Sequence, residues 1–338
     1  MKKLISLICV LAMVLALAAC GSSAPAAATE APAASTEAPA EDVSADKTFV
    51  VGICQLVQHP ALDAATQGFK DALTEALGDK VTFQEQNASG DSATCSLICS
   101  QFVSDEVDLI MANATASIQA AASATNTIPV LGTSITDYGV ALGVDNWTGV
   151  SGTNISGTSD LAPLDGQAAM IQELFPDAKT IGLLYCSGEP NSIFQADSME
   201  ALLTDMGYSV ERYTFADSND VSSVTANACS NADVLYIPTD NTAASCTEAI
   251  NNVALSAGIP IVAGEEGIAS GCGVATLSIS YYDLGRATGE MAAEILTEGA
   301  DISTMEVRFA PAFTKEYNAD ICEALNITVP EDYVAIAK

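Results

Sequence analysis

The sequence predicts an α/β fold of two lobes, each a doubly wound parallel sheet covered by helices on both faces. Three observations carry this. Short apolar runs alternate with stretches of helical period along most of the chain. The rhythm pauses at 141–163, a Gly-, Ser- and Thr-rich stretch with no clear helix, and then restarts on the same plan. Small polar residues follow the strands and open the next helix, as parallel sheets with crossover helices require.

The elements follow in order. Strands are expected at Phe49–Leu56, Val81–Gln86, Leu109–Ala112 and Pro129–Leu131 before the pause. After it come Thr180–Tyr185, Ser209–Phe215, Val234–Ile237, Pro260–Ala263, Val274–Leu277 and Glu306–Phe309. Between them Ala61–Leu77 reads as a helix, with Leu62, Ala65, Phe69, Ala72, Leu73 and Leu77 on one stripe and Gly78 to end it. Further helices are expected at Ser92–Val103, Ser117–Thr125, Asp165–Phe175, Ile193–Met206, Val221–Cys229, Thr242–Ala257, Leu284–Leu296 and Lys315–Leu325.

The N-terminus has a different character. A basic Met1–Lys3 precedes an apolar run, Leu4 to Ala19, broken only by Ser6. The run ends in Leu17-Ala-Ala-Cys20 and has the length of a signal-peptide core. Small residues before a cysteine resemble a bacterial lipobox, which implies cleavage before Cys20 and a lipid on its thiol. Residues 1–19 are thus expected to be a lipoprotein signal, and 20–46, with its repeated Thr-Glu-Ala-Pro-Ala, a flexible acidic tether.

Composition bounds the function. The chain of 338 residues carries 43 acidic against 11 basic residues, a formal charge of −32. Nucleic acid is therefore not an expected partner, since phosphate recognition needs clustered Lys and Arg. Past the tether, Cys54, Cys95, Cys99, Cys186, Cys229, Cys246, Cys272 and Cys322 show no Cys-x-x-Cys spacing, and His59 is the only histidine. That pattern predicts buried free thiols, not a zinc site. No Gly-x-Ser-x-Gly elbow, phosphate loop or His-Glu-x-x-His helix is present, so neither an enzyme nor a cofactor is expected.

The polar loops after the strands hold the candidate site. They are Asn113–Ser117, Gly132–Asp137, Ser187–Ser192, Pro238–Asn241 and Gly264–Glu266. Capping of the following helices accounts for part of this polarity. The functional reading is that several helix N-termini face one cleft between the lobes. With no Lys or Arg in these loops, a solute carboxylate would meet Thr115, Ser117 or Ser134 and helix ends, and an ammonium would meet Asp240 or Glu266. Tyr281 and Tyr282 could wall the cleft or pack the lobe junction. His59 could line the cleft or cap its helix.

Four segments, in order, carry a resemblance. Gln55-Leu-Val-Gln-His-Pro-Ala-Leu-Asp63, Leu184-Tyr-Cys-Ser-Gly-Glu-Pro-Asn-Ser192, Tyr236-Ile-Pro-Thr-Asp-Asn241 and Ser280-Tyr-Tyr-Asp-Leu-Gly285 resemble the ABC-transporter substrate-binding proteins of the tryptophan/tyrosine-binding type. The resemblance implies a periplasmic-binding-protein type I fold with three crossovers, near 158–162, 280–285 and 309–314. Its lobes would be 47–160 plus 284–311 and 161–283 plus 312–338. It also implies ligand roles for His59 with its neighbour Gln58, for Ser159 and Asp160, for Glu189, Asn191 and Ser192, and for Asp240 and Asn241. The partners it implies are a small solute, expected to be an amino acid with an aromatic or large apolar side chain, and an ABC permease with its ATPase. A sensory receptor, a sugar or nucleoside binder, and a surface hydrolase stay open as alternatives.

Overall fold

The computed structural model describes residues 47–310 and 312–337. The signal, the lipobox with Cys20 and the tether lie outside the described residues. In chain order the elements are β1 Phe49–Gln55, α1 Pro60–Leu77, β2 Val81–Asn87, α2 Ser92–Ser104, β3 Leu109–Asn113, α3 Thr115–Ala124, β4 Val130–Ile135, α4 Tyr138–Leu142 and β5 Ile155–Ser159. Next come α5 Leu164–Leu174, β6 Thr180–Cys186, α6 Pro190–Asp205, β7 Ser209–Phe215, α7 Val221–Cys229, β8 Val234–Ile237, α8 Asn241–Ser245, α9 Thr247–Ala257, β9 Ile261–Ala263, α10 Glu266–Cys272 and β10 Ala275–Ser278. The chain closes with α11 Tyr281–Glu298, β11 Arg308–Phe309, β12 Thr314–Tyr317, α12 Ala319–Ala324 and β13 Val334–Ala335.

Two sheets form. The first has the order β11-β5-β4-β3-β1-β2 and is parallel throughout. The second has the order β13-β12-β10-β9-β8-β6-β7, parallel except where β12 runs against β10. Each sheet reverses its strand order once, between β1 and β3 and between β6 and β8. At such a reversal adjacent crossover helices leave on opposite faces and open a crevice beyond the strands' carboxyl ends. The chain passes between the sheets three times, after β5, after β10 and after β11.

The central strands are apolar because helices cover both their faces. In β1, Val51, Ile53 and Cys54 are fully buried, with Cys54 packing on one face and Val51 and Ile53 on the other. Helix α1 starts with Pro60 at its first positions and ends at Gly78, whose φ of 57° suits glycine. It packs along α11 at backbone contact. A Cβ on Gly68 would stand 2.1 Å from the Tyr282 carbonyl oxygen, and one on Gly285 2.0 Å from that of Ala65. Thus α11, which follows β10 of the second sheet, lies against the first lobe.

Several elements differ from the sequence reading. The stretch 141–163 contains β5, which pairs with β4 and β11. Its small residues are required by packing: the Tyr138 hydroxyl sits over it, within bonding distance of the Gly132, Ser156 and Thr158 carbonyls. Lys315–Leu325 is not one helix. Thr314–Tyr317 is the antiparallel strand β12, and the short α12 begins after its cap Asn318. Thr242–Ala257 breaks at Cys246 into α8 and α9. The short helices α4 and α10 were not expected; Asp137 and Glu265 cap them.

The eight cysteines at 54, 95, 99, 186, 229, 246, 272 and 322 are free thiols, six of them buried. Among the described residues no helix is long and apolar enough to cross a membrane. No group of three or more His, Cys, Asp or Glu among them could hold a metal ion.

Candidate functional site

A polar cavity lies where the carboxyl ends of the two sheets face each other. It lies between His59, Leu62, Ser134, Thr136 and Asp160 on one side and Asn191, Thr239, Asp240, Asn241, Ala244, Glu265 and Tyr281 on the other. Every polar member sits at or just past the end of a strand: His59 after β1, Ser134 and Thr136 at β4, Asp160 after β5, Asn191 after β6, Thr239–Asn241 after β8, Glu265 after β9, Tyr281 after β10.

His59 precedes α1 in extended backbone, yet its side chain makes no capping bond. It is buried, and its Nε2 lies 3.4 Å from Asn241 Oδ1, a long hydrogen bond from the first lobe to the second. Burial pushes its pKa below the usual imidazole range, although Asn241 and the nearby Glu189 and Asp63 pull the other way. The imidazole is therefore neutral at pH 7.

Ser134 adopts a left-handed φ of 56° where the β4–β5 register shifts. For a serine this conformation costs on the order of 1 kcal/mol and is found where a side chain must be aimed. Asp160 is fully enclosed. Its Oδ2 accepts from the Tyr281 hydroxyl at 2.9 Å, and burial drives its pKa up to about 6, with the Tyr281 hydroxyl opposing the rise. Tyr281, also buried, is the first residue of α11.

The second lobe's acids are satisfied by backbone amides at helix starts and a strand end. Asp240 accepts from Ala243 N and Cys186 N, both at 2.7 Å. Glu265 accepts from Gly267 N and Ile268 N at 2.6 and 2.5 Å. Burial raises both carboxyls, Glu265 to about 7. No Lys or Arg lines the cavity.

Three cavity atoms have no protein partner: His59 Nδ1, Ser134 Oγ and Asp160 Oδ1. A buried polar atom left unpaired costs about 1–3 kcal/mol, so three lining one space make it the candidate ligand site.

The other sequence candidates lie elsewhere. Gln58 is exposed and outside the cavity wall. Thr115 is buried at the start of α3 but does not line it. Ser117 is in the core, its hydroxyl taken by the Cys54 and Cys95 thiols at 3.7 and 3.6 Å. Ser159 spends its hydroxyl on the Thr136 carbonyl and the Leu161 amide. Ser192 is fully buried beside Asn191. Glu189 is a supporting group, accepting from Asn191 Nδ2, Asn241 N and Nδ2, and Thr242 N and Oγ1. Glu266 faces a separate groove with Pro60, Tyr282 and Ile336, and its neighbour Glu265 takes the inward place. Sequence reasoning also missed Leu62, Thr136, Thr239 and Ala244. Leu62, Thr136 and Thr239 lie within segments singled out in the sequence; Ala244 carries no local signal.

Two parallel-sheet lobes linked three times, with a polar chamber closed between them, define a protein that holds a small solute. The sequence pattern described as ABC transporter substrate binding protein matches residues 50–338. The chain belongs to that family, whose members bind solutes and are not enzymes. It is 38% identical over 280 residues to a tyrosine-binding protein of Clostridioides difficile (strain R20291), covering 82% of this chain and 81% of that one. An ABC domain from Streptococcus pneumonia in complex with L-Trp superposes with a TM-score of 0.80 at 32% identity, over 84% of this chain and 97% of that one. The ligand-free, open structure of a Clostridium difficile substrate-binding protein with adhesive properties gives 0.66 at 37% identity, over 86% and 99%.

Proposed function

We propose that the protein is a lipid-anchored, extracytoplasmic binding protein that captures tyrosine or tryptophan between its lobes and delivers it to an ABC permease. The observation that carries this is the convergence of His59 Nδ1, Ser134 Oγ and Asp160 Oδ1, all buried and unpartnered, on one inter-lobe cavity. Asp160 offers a charged acceptor to an ammonium. Ser134 offers a hydroxyl to a carboxylate. Tyr281, Leu62 and the His59 ring supply apolar faces for a side chain. The tyrosine-binding relative and the L-Trp complex support the same solute class.

The lobes must part for such a solute to enter, because His59, Ser134, Asp160 and Tyr281 are all buried in the arrangement described. The better superposition on the L-Trp complex than on the open, ligand-free relative, despite lower identity to the former, supports reading the described arrangement as the closed one. Closure would then be a hinge motion favoured by contacts that only the closed state makes. The division into 47–160 plus 284–311 and 161–283 plus 312–338 is the division at which we place the hinge.

A thermal-shift panel of the common amino acids, sugars and nucleosides should give its largest stabilisation with tyrosine or tryptophan. A shift with a sugar or nucleoside and none with any amino acid would overturn the assignment. Anchoring rests on Leu17-Ala-Ala-Cys20. Cys20→Ala should release the chain into the medium and lower cellular uptake of labelled tyrosine; a variant still held in the membrane fraction would refute the anchor.

A further inference from the structure

The hydrogen bonds behind His59 fix which of its two ring nitrogens carries the proton. The Glu189 carboxylate accepts from two backbone amides, Asn241 N at 3.0 Å and Thr242 N at 2.8 Å, so it acts as an acceptor at this point. The Asn241 side chain must therefore turn Nδ2 toward it, at 2.7 Å. That leaves Asn241 Oδ1 facing His59 Nε2 at 3.4 Å. An amide oxygen only accepts, so Nε2 carries the proton. In a neutral imidazole Nδ1 is then a bare acceptor, and it is the ring nitrogen without a protein partner.

Of the buried cavity atoms without a protein partner, two are acceptors, Asp160 Oδ1 and His59 Nδ1, and one is a hydroxyl, Ser134 Oγ. A carboxylate cannot bond a bare acceptor, so it goes to the hydroxyl. An ammonium is held more strongly by the carboxylate Asp160 than by a neutral nitrogen. His59 Nδ1 is left for a neutral donor. We infer that His59, positioned through Asn241 and Glu189, accepts a hydrogen bond from the side chain of the bound amino acid, so the site selects rings bearing an O–H or N–H, tyrosine or tryptophan, over phenylalanine. This rests on the amino-acid reading above. A solute ring without a donor would seal Nδ1 in the closed chamber unpaired, the kind of mismatch that binding sites reject.

The test compares titration calorimetry of tyrosine, tryptophan and phenylalanine on the wild type and on His59→Phe. The wild type is expected to bind tyrosine or tryptophan about tenfold to a hundredfold more tightly than phenylalanine. In His59→Phe that ratio should fall to near one. Loss of the Asn241 contact weakens all three ligands alike and leaves the ratio untouched. Equal wild-type affinities, or a ratio that survives in the variant, would overturn the inference while leaving the amino-acid reading in place. Wild-type protein that binds no amino acid would overturn both. A second readout needs no variant: with one histidine in the chain, the nitrogen-15 spectrum of labelled protein reports its tautomer directly. A proton on Nε2 is expected in the tyrosine-bound protein; a proton on Nδ1 there would overturn the inference.

Discussion

Asp160→Asn is expected to weaken binding of the amino acid about a hundredfold or more while making the empty protein more stable at pH 8. Both effects come from one buried carboxylate with one oxygen on Tyr281 and the other on nothing. Removing the charged partner of a buried ammonium typically costs about 2–5 kcal/mol of binding. In the empty chamber the same charge is a burden, which burial expresses as a pKa near 6 in place of 3.8. A carboxyl whose folded pKa is raised stabilises the fold fully below its unfolded value. That contribution is lost as pH rises through the folded value. For Asp160 the loss is about 3 kcal/mol across roughly pH 4 to 7. Glu265, raised to about 7, and Asp240 have the same sign. The empty wild type should therefore melt at progressively lower temperature from pH 5 to pH 8, with a shallower slope in Asp160→Asn. Binding runs the other way: affinity should hold above pH 6 and fall about tenfold per unit below it, as the carboxyl that meets the ammonium takes up a proton. Calorimetry at pH 5, 6, 7 and 8 reads both slopes. Flat affinity from pH 5 to 7, or near-native affinity in the variant, would remove Asp160 as the ammonium's partner.

The parts of this site legible in the sequence are those whose residue type already implied a position. A histidine and a proline at the end of an apolar run mark a strand-to-helix junction, and the structure puts His59 and Pro60 there. Asp240 reads as a helix cap, and it is one. What was not legible depends on capping geometry or on distant partners. Glu265 and Glu266 are identical in type and adjacent, but Glu265 is the extended cap residue, its carboxylate on the Gly267 and Ile268 amides, while Glu266 is the first helical residue, so one lines the chamber and the other the outer groove. Ser117 resembles Ser134 in composition and setting. Its hydroxyl is consumed by two thiols from β1 and α2, which no local pattern announces. Strand β5 looked like a loop because its residues are small, and they are small because the Tyr138 hydroxyl and the β4 backbone press on them. A Cβ on Gly157 would lie 2.0 Å from the Gly132 carbonyl oxygen.

The second large effect is expected far from any ligand atom. Gly285→Val should lower the melting temperature by about 6–10 °C and weaken solute binding at least about tenfold, although residue 285 does not line the cavity. The reason is the seam between α1 and α11. Cβ atoms on Gly68, Gly285 and Gly289 would stand 2.1, 2.0 and 2.6 Å from carbonyl oxygens of the facing helix. Backbone cannot rotate away as a side chain would, so the helices must separate. Overpacking of this kind costs about 3 kcal/mol. Separation reaches the site because each helix begins at a cavity residue: α1 directly after His59, α11 with Tyr281, whose hydroxyl holds Asp160. Displacing α11 by even about 1 Å moves that hydroxyl out of bonding range and frees the carboxylate that meets the ammonium. Gly78→Ala is the matched comparison. Gly78 also needs its glycine, with φ of 57°, but its Cβ would meet no atom within 4 Å. It should cost about 1 kcal/mol and leave affinity unchanged. If Gly285→Val melted like the wild type, or lost stability while keeping full affinity, the seam would not be what aligns the two halves of the chamber.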